Sequence, residues 1–416
     1  MKTFAVARIL TQQAFRQAPK VLASFPISFF NPRLQSALNA ELHPKKMTSE
    51  EITASDNTQV KEIPASDLPT WALKLYLDGH DGAINTVAFS NDGQFLASAS
   101  EDGSVRLWNT KTEVMKFESS GGVYGVAFSP DDQLLAIASE DKSVRLWNLI
   151  SGEQIFELKG HNNWVVGVAF SPDGTLLASA SYDDTVRLWN PVTGEQLLRL
   201  EGHNTVVNAV AFSHGGQLLA SASEDKTIRL WNPITGKQLF ELEGHSGGVL
   251  GIAFSPDGTL LASASDDKTV RLWNPMTGEQ LLKLEGHSNT VNAITFSYNG
   301  QFLASASADK TVRLWNPVTG KCLQELKVHA LEVLGIAFSP DGTLLASASQ
   351  DLTIILWTEE KIPVEPDCNP VRPPFSPSLN HSPKLTLALA DLEFMNIPRY
   401  LHSPIADVRR PTPAPV

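Results

Sequence analysis

From Trp71 to Trp357 the chain is written in short apolar runs separated by polar clusters, and the same order of runs keeps returning. In the stretch that ends at Trp315 the runs read QLLKLEG, VNAITFS, QFLASAS and TVRLWN, each rich in Val, Ile, Leu, Phe or Thr. They partly alternate, as strands with one buried face require. Between them stand HSNT, YNG and ADK, and NPVTGK follows the last. Such clusters are tight-turn chemistry, because Gly supplies positive φ and Pro presets φ. The pattern predicts a four-stranded antiparallel meander in each unit. Its anchors recur at Trp108, Trp147, Trp189, Trp231, Trp273, Trp315 and Trp357, in steps of 39 and then 42 five times. A Phe stands 19 residues before each, at Phe89, Phe128, Phe170, Phe212, Phe254, Phe296 and Phe338.

One four-stranded sheet cannot bury both of its faces alone, so the copies must stack face to face, and units of this length have the period of a β-propeller. The expected fold is all-β, with seven blades of four antiparallel strands. The succession GH, SPDG and SASxDxTVRLWN resembles the WD40 repeat, with Trp-Asn in place of Trp-Asp, over residues 71 to 357. The resemblance implies how the ring closes. After Trp357 the seventh unit lacks an outermost strand, while Trp71 to Leu77 (WALKLYL) precedes the first unit as a surplus one. That N-terminal strand is expected to pair with the last blade and leave no open edge. The domains read as 1–70, a disordered leader; 71–358, the propeller; and 359–416, a Pro-rich flexible tail with a possible short helix over 384–397.

A His, a Ser, an Asp and a Trp recur at fixed spacing, and the question is whether they do chemistry. The sets are His80, Ser98, Asp102 and Trp108; His161, Ser179, Asp183 and Trp189; His203, Ser221, Asp225 and Trp231. They continue with His245, Ser263, Asp267 and Trp273; His287, Ser305, Asp309 and Trp315; and His329, Ser347, Asp351 and Trp357. The spacing is similar to that of the WD40 structural tetrad. A buried indole N–H needs an acceptor, a hydroxyl accepts and donates onward, imidazole passes a second bond, and a turn carboxylate ends the relay. A hydrolase needs one nucleophile beside one oxyanion hole, whereas six copies imply six structural joints. Unit two departs from the rest: it is three residues short, Ser119-Ser120 replaces Gly-His, and Ile137 replaces the Ser. Its network is expected to be incomplete.

Other chemistry has no motif to rest on. Gly236-Lys237 and Gly320-Lys321 do not complete a phosphate-binding loop, and there is no HExxH. His214 is the one His unique to a unit, and an enzyme working in the central channel is the alternative of another class. Cys322 and Cys368 form neither a disulfide framework nor a zinc spacing. No catalytic residue, cofactor or metal is expected. Residues 71–357 carry 19 Lys and Arg against 32 Asp and Glu, a balance that repels phosphate backbones and argues against nucleic acid. The longest apolar candidate, Val21 to Phe30, is short and broken by Pro26, so no transmembrane segment is read. The localisation expected is cytoplasmic. The alternative is mitochondrial or mitochondria-associated, as an adaptor of WD40 type, because the first 40 residues hold five Lys and Arg and no acid, as transit segments do.

What remains is binding of a protein or peptide. In near-identical units the positions that differ are informative. Three such positions belong, in a WD40-like blade, to one upper face: six and four residues before the Phe, and one before the tetrad Asp. Large apolar members gather in units two to four as Tyr124, Trp164, Val166, Tyr182 and Val206, with Glu101, Glu140, Glu224 and Asp266 around them. An aromatic centre with an acidic rim is the expected partner site, suited to an amphipathic or basic-aromatic peptide.

Overall fold

The computed structural model describes residues 70–109, 112–327 and 329–360. The leader expected before Thr70, and the tail with its helix at 384–397, lie outside the described residues. Among the described residues twenty-eight strands, β1 to β28 in chain order, form seven four-stranded antiparallel sheets. In blade six these are β22 (Val291–Phe296), β23 (Leu303–Ser307), β24 (Val312–Trp315) and β25 (Cys322–Leu326), in that order from the centre outward. The innermost strands of successive sheets neighbour one another all the way round, the last beside the first.

The strands are shorter than the apolar runs suggest, because the flanking polar residues are spent on turns. Thr311 donates through Oγ1 to Asp309 at 2.6 Å instead of opening β24. Asn316 accepts from the amides of Val318 and Thr319 at 2.9 and 2.8 Å, and its carbonyl accepts from Gly320. This Asx-capped turn is what Trp-Asn encodes.

Each blade buries its faces against its neighbours. Seven apolar clusters fill the seven seams, and in six of them the tetrad Trp packs among side chains of the preceding blade. Trp231, for instance, lies with Ala178, Ala180, Leu188 and Leu200 of blade three. Toward the axis the inner strands come so close that only small residues fit. A Cβ on Gly335 would stand 2.7 Å from Thr86 Cα, so glycine is required where blade seven meets blade one.

Blade seven contains β26 (Val333–Phe338), β27 (Leu344–Ser349) and β28 (Ile354–Glu360), and its fourth strand is β1, Thr70–Leu77. β1 runs antiparallel to β28, from Thr70 opposite Glu360 to Leu77 opposite Ile354. Trp71 is buried between Phe302 and Phe338. Its backbone is clamped by Gln324 of β25, whose Oε1 accepts from Trp71 N–H at 2.9 Å while Nε2 donates to Trp71 C=O at 2.8 Å. Leu77 joins the cluster between blades seven and one.

Candidate functional site

The tetrads form as one repeated geometry. In all six, the Trp Nε1–H donates to the Ser hydroxyl at 2.8–2.9 Å. The Ser Oγ lies 2.7–2.8 Å from His Nε2. His Nδ1 lies 2.8–2.9 Å from the Asp carboxylate. Satisfying every bond at once fixes the order: the Ser O–H donates to Nε2 and Nδ1–H donates to Asp. Burial lowers the pKa of His80, His161, His245 and His329 below the ordinary value, although the Asp partners pull it up, so these rings are neutral at pH 7. Burial works against ionisation of Asp102, Asp183, Asp225, Asp267, Asp309 and Asp351 too. Hydrogen bonds from the His, from a Ser or Thr hydroxyl and from backbone amides outweigh it and hold these carboxyls below their usual range. The Ser side chains are fully buried, so the relay is a joint tying strands and turn together.

The glycine before the His has a partner that sequence reading missed. A Cβ on Gly160 would lie 2.6 Å from Arg187 Nη1 and 3.2 Å from the Trp189 ring. The strand-three Arg folds over that glycine to reach the outer strand, as Arg229 does to Gln238 at 2.6 Å. Blade seven alone carries Ile355 where the other blades have Arg, and alone has Val in place of the Gly or Ser of the others at this position.

Blade two lacks the relay. Trp147 Nε1 is buried and has no hydrogen-bond partner, because the residue in the Ser place is Ile137. Ser120 and Arg145 bond Asp141 in place of a His, Arg145 also reaches Ser119 at 2.9 Å, and the Phe117 ring packs 5.1 Å from Trp147.

On the face carrying the second turn of each blade and the loop into its inner strand, here the upper face, the differing positions come together. In every blade the residue before the tetrad Asp donates its N–H to the carbonyl six before the Phe, Tyr182 to Trp164 and Glu224 to Val206 among them. Trp164 stacks on Tyr124 of blade two, with centroids 5.6 Å apart and planes at 16°, and on Tyr182 of its own blade at 5.7 Å and 21°. All three rings are half-buried. Glu140 accepts from the Gly122 amide at 3.2 Å. Burial, followed by the charges of Glu101 and Glu140, pushes the Tyr124 phenol up to about 12; burial and Glu224 raise Tyr182. Val166 and Val206 are half-buried on the same face, and the Val166 carbonyl would meet a Cβ on Gly125 at 2.9 Å, which ties it to the seam. The differing position four before the Phe is not all surface. Asn85, Asn208 and Asn292 each donate to a carbonyl of the next blade, at Val123, Val249 and Val333, over 2.9–3.0 Å. They are clips between blades, and their polar type concealed this in the sequence. His214 is exposed in a turn of the opposite face.

A family model described as "WD domain, G-beta repeat" matches seven times, at residues 71–109, 111–148, 152–190, 194–232, 236–274, 278–316 and 320–358. Each match begins with the outer strand of one blade and ends with the third strand of the next, so repeat and blade are offset by one strand. Similar curated proteins include the periodic tryptophan protein 2 homolog of Dictyostelium discoideum, 46% identical over 43 residues, 10% of this chain and 5% of that protein. The probable cytosolic iron-sulfur protein assembly protein 1 of Candida albicans is 34% identical over 67 residues, 16% of each chain. Human transducin beta-like protein 2 is 48% identical over 40 residues, 10% of this chain and 9% of that protein. The chain thus matches less than a fifth of the length of each of these relatives. Among the described residues no helix is long and apolar enough to cross a membrane.

Proposed function

Because the chain belongs to the WD40 repeat family, we propose that it is a non-enzymatic scaffold that binds a protein or peptide on the upper face, at the seam of blades two and three. The observation that carries the reading is the stack of Tyr124, Trp164 and Tyr182. Among the described residues the other aromatic contacts outside the relays, Trp71 with Phe302 and Phe338 and Phe117 with Trp147, are packed in seams between blades, and half-exposed aromatic groups like this stack are enriched at interaction hot spots. The tetrads give no support to an enzyme, since every Ser–His–Asp set is spent on a buried Trp. A cytoplasmic location accords with the cysteine content and with the name of the Candida relative. Nothing beyond the first 40 residues favours the mitochondrial alternative.

The test is affinity capture with the full chain. Trp164→Ala combined with Tyr182→Ala should weaken capture of its partner by about 2 to 4 kcal/mol in total, as hot-spot truncation does, with the fold intact. Thr259 and Thr343, exposed in turns of the opposite face, supply the control substitutions. If those controls abolish capture while the double variant keeps it, the binding face is the other one.

A further inference from the structure

Two groups of acidic residues contrast among the described residues. On the outer strands they are compensated: Glu113, Glu157, Glu241 and Glu325 each lie within ion-pair distance of an Arg, and Glu118, Glu201 and Glu285 of a Lys or Arg. Around the aromatic stack they are not. Among the described residues no Lys, Arg or His lies within ion-pair distance of Glu101, Glu140, Glu224 or Asp266. These four occupy the same structural position in blades one, two, four and five, and Tyr182 occupies it in blade three. Glu101 and Glu140 therefore stand on one side of the stack and Glu224 on the other. Their nearness is registered by the phenols, since Glu101 and Glu140 act on Tyr124 and Glu224 acts on Tyr182.

We infer that this surface docks an arginine side chain presented by a basic segment of a partner protein, with the guanidinium lying on the rings and its N–H groups turned to the carboxylates of Glu101, Glu140 or Glu224. The inference rests on the upper-face reading and adds the partner's chemistry to it. An aromatic face attracts a cation through its quadrupole, and the attraction grows where water is thinned, as it is over half-buried rings. Arginine fits better than lysine for three reasons. Its guanidinium is planar and stacks flat, it is more weakly hydrated than an ammonium, and its forked donors engage a carboxylate at the edge of the stack while the plane stays on the ring. A neutral aromatic or aliphatic anchor would leave the four carboxylates uncompensated, and the net acidity of residues 71–357 repels nucleic acid.

The probes are three immobilised peptides, Gly-Arg-Gly-Arg-Gly-Arg-Gly and its counterparts with lysine or neutral citrulline in place of every arginine, each titrated with the full chain. The arginine peptide should bind at least tenfold more tightly than the citrulline peptide and severalfold more tightly than the lysine peptide. Trp164→Ala should remove most of that binding without moving the thermal midpoint. Glu140→Gln with Glu224→Gln should weaken it and flatten its salt dependence. Equal binding of the arginine and citrulline peptides, or arginine binding untouched by Trp164→Ala, would overturn the inference. If the captured partner still depends on Trp164 and Tyr182 while its arginines can be replaced by citrulline without effect, the arginine assignment fails and the upper-face function stands. If capture ignores Trp164 and Tyr182 altogether, both fall.

Discussion

Blades two and seven each depart from the regular unit, in opposite ways. Blade seven has a complete relay, with Trp357, Ser347, His329 and Asp351 in place, but takes its outer strand from the other end of the described chain. Blade two has all four strands in order and no relay: its Trp147 N–H is buried without an acceptor. Both still stack into the ring. The comparison teaches that the relay is a local joint whose loss one blade tolerates by repacking Phe117 and Arg145, whereas a missing strand would expose a sheet edge and open a seam. It also shows that the irregular blade contributes a ring to the aromatic stack, through Tyr124.

The largest expected effect separates strand from relay. Deleting residues 1–78 should remove β1, with the burial of Trp71 and Leu77, and lower the thermal midpoint sharply, whereas deleting 1–66 should be nearly silent. Equal midpoints would show that β1 contributes nothing to closure. Next comes the relay itself. Trp273→Ala should cost about 3 to 5 kcal/mol in a denaturant titration, because it opens a cavity in a packed seam. His245→Ala leaves Ser263 and Asp267 without their partner and should cost about 1 to 3 kcal/mol. Ser120→Ala in blade two, where the hydroxyl stands in for the His at an exposed position, should cost less than His245→Ala; the reverse order would break the comparison.

The smallest effect is on pH. The folded pKa of His80, His161, His245 and His329 lies below the ordinary 6.5. The unfolded chain therefore binds more protons as pH drops below about 6.5, and stability falls there. The tetrad Asp carboxyls, also depressed, add a second loss that begins as pH falls toward their ordinary 3.8. Thermal midpoints measured from pH 7.5 to 5 should decline, and His245→Ala should decline less steeply. A midpoint that rises through this range would contradict the neutral, buried assignment of these rings.

Much of this was legible in the sequence because repetition is itself a physical signal. The Trp and Phe spacing located every blade, and the resemblance implied that WALKLYL, an outer strand without a blade, would pair with the last one. The six relays were readable from residue type and spacing together with the resemblance to the WD40 tetrad, as each needs one donor, one two-way hydroxyl, one imidazole and one carboxylate. Asn85, Asn208 and Asn292 were not, because an Asn at a position that differs between units looks like surface until the neighbouring carbonyl is seen. The pairing of Gly160 with Arg187 left a trace that could have been found: where blade seven replaces Arg by Ile355, the Gly before its His is replaced as well. The grouping of Tyr124 with Trp164 needed only the stacking of successive units to place blade two beside blade three, but their parallel stacking depends on side-chain angles that no spacing encodes.

The central claim is a division of labour, in which the repeated relays hold the ring and the aromatic stack of Tyr124, Trp164 and Tyr182 is proposed to bind the partner. It is tested most directly by measuring thermal midpoint and partner capture side by side for His245→Ala and Trp164→Ala in the full chain. The account predicts a crossed result: His245→Ala lowers the midpoint and, while folded, keeps capture, whereas Trp164→Ala keeps the midpoint and loses capture. If His245→Ala abolishes capture at an unchanged midpoint, the relays take part in function and the division is wrong.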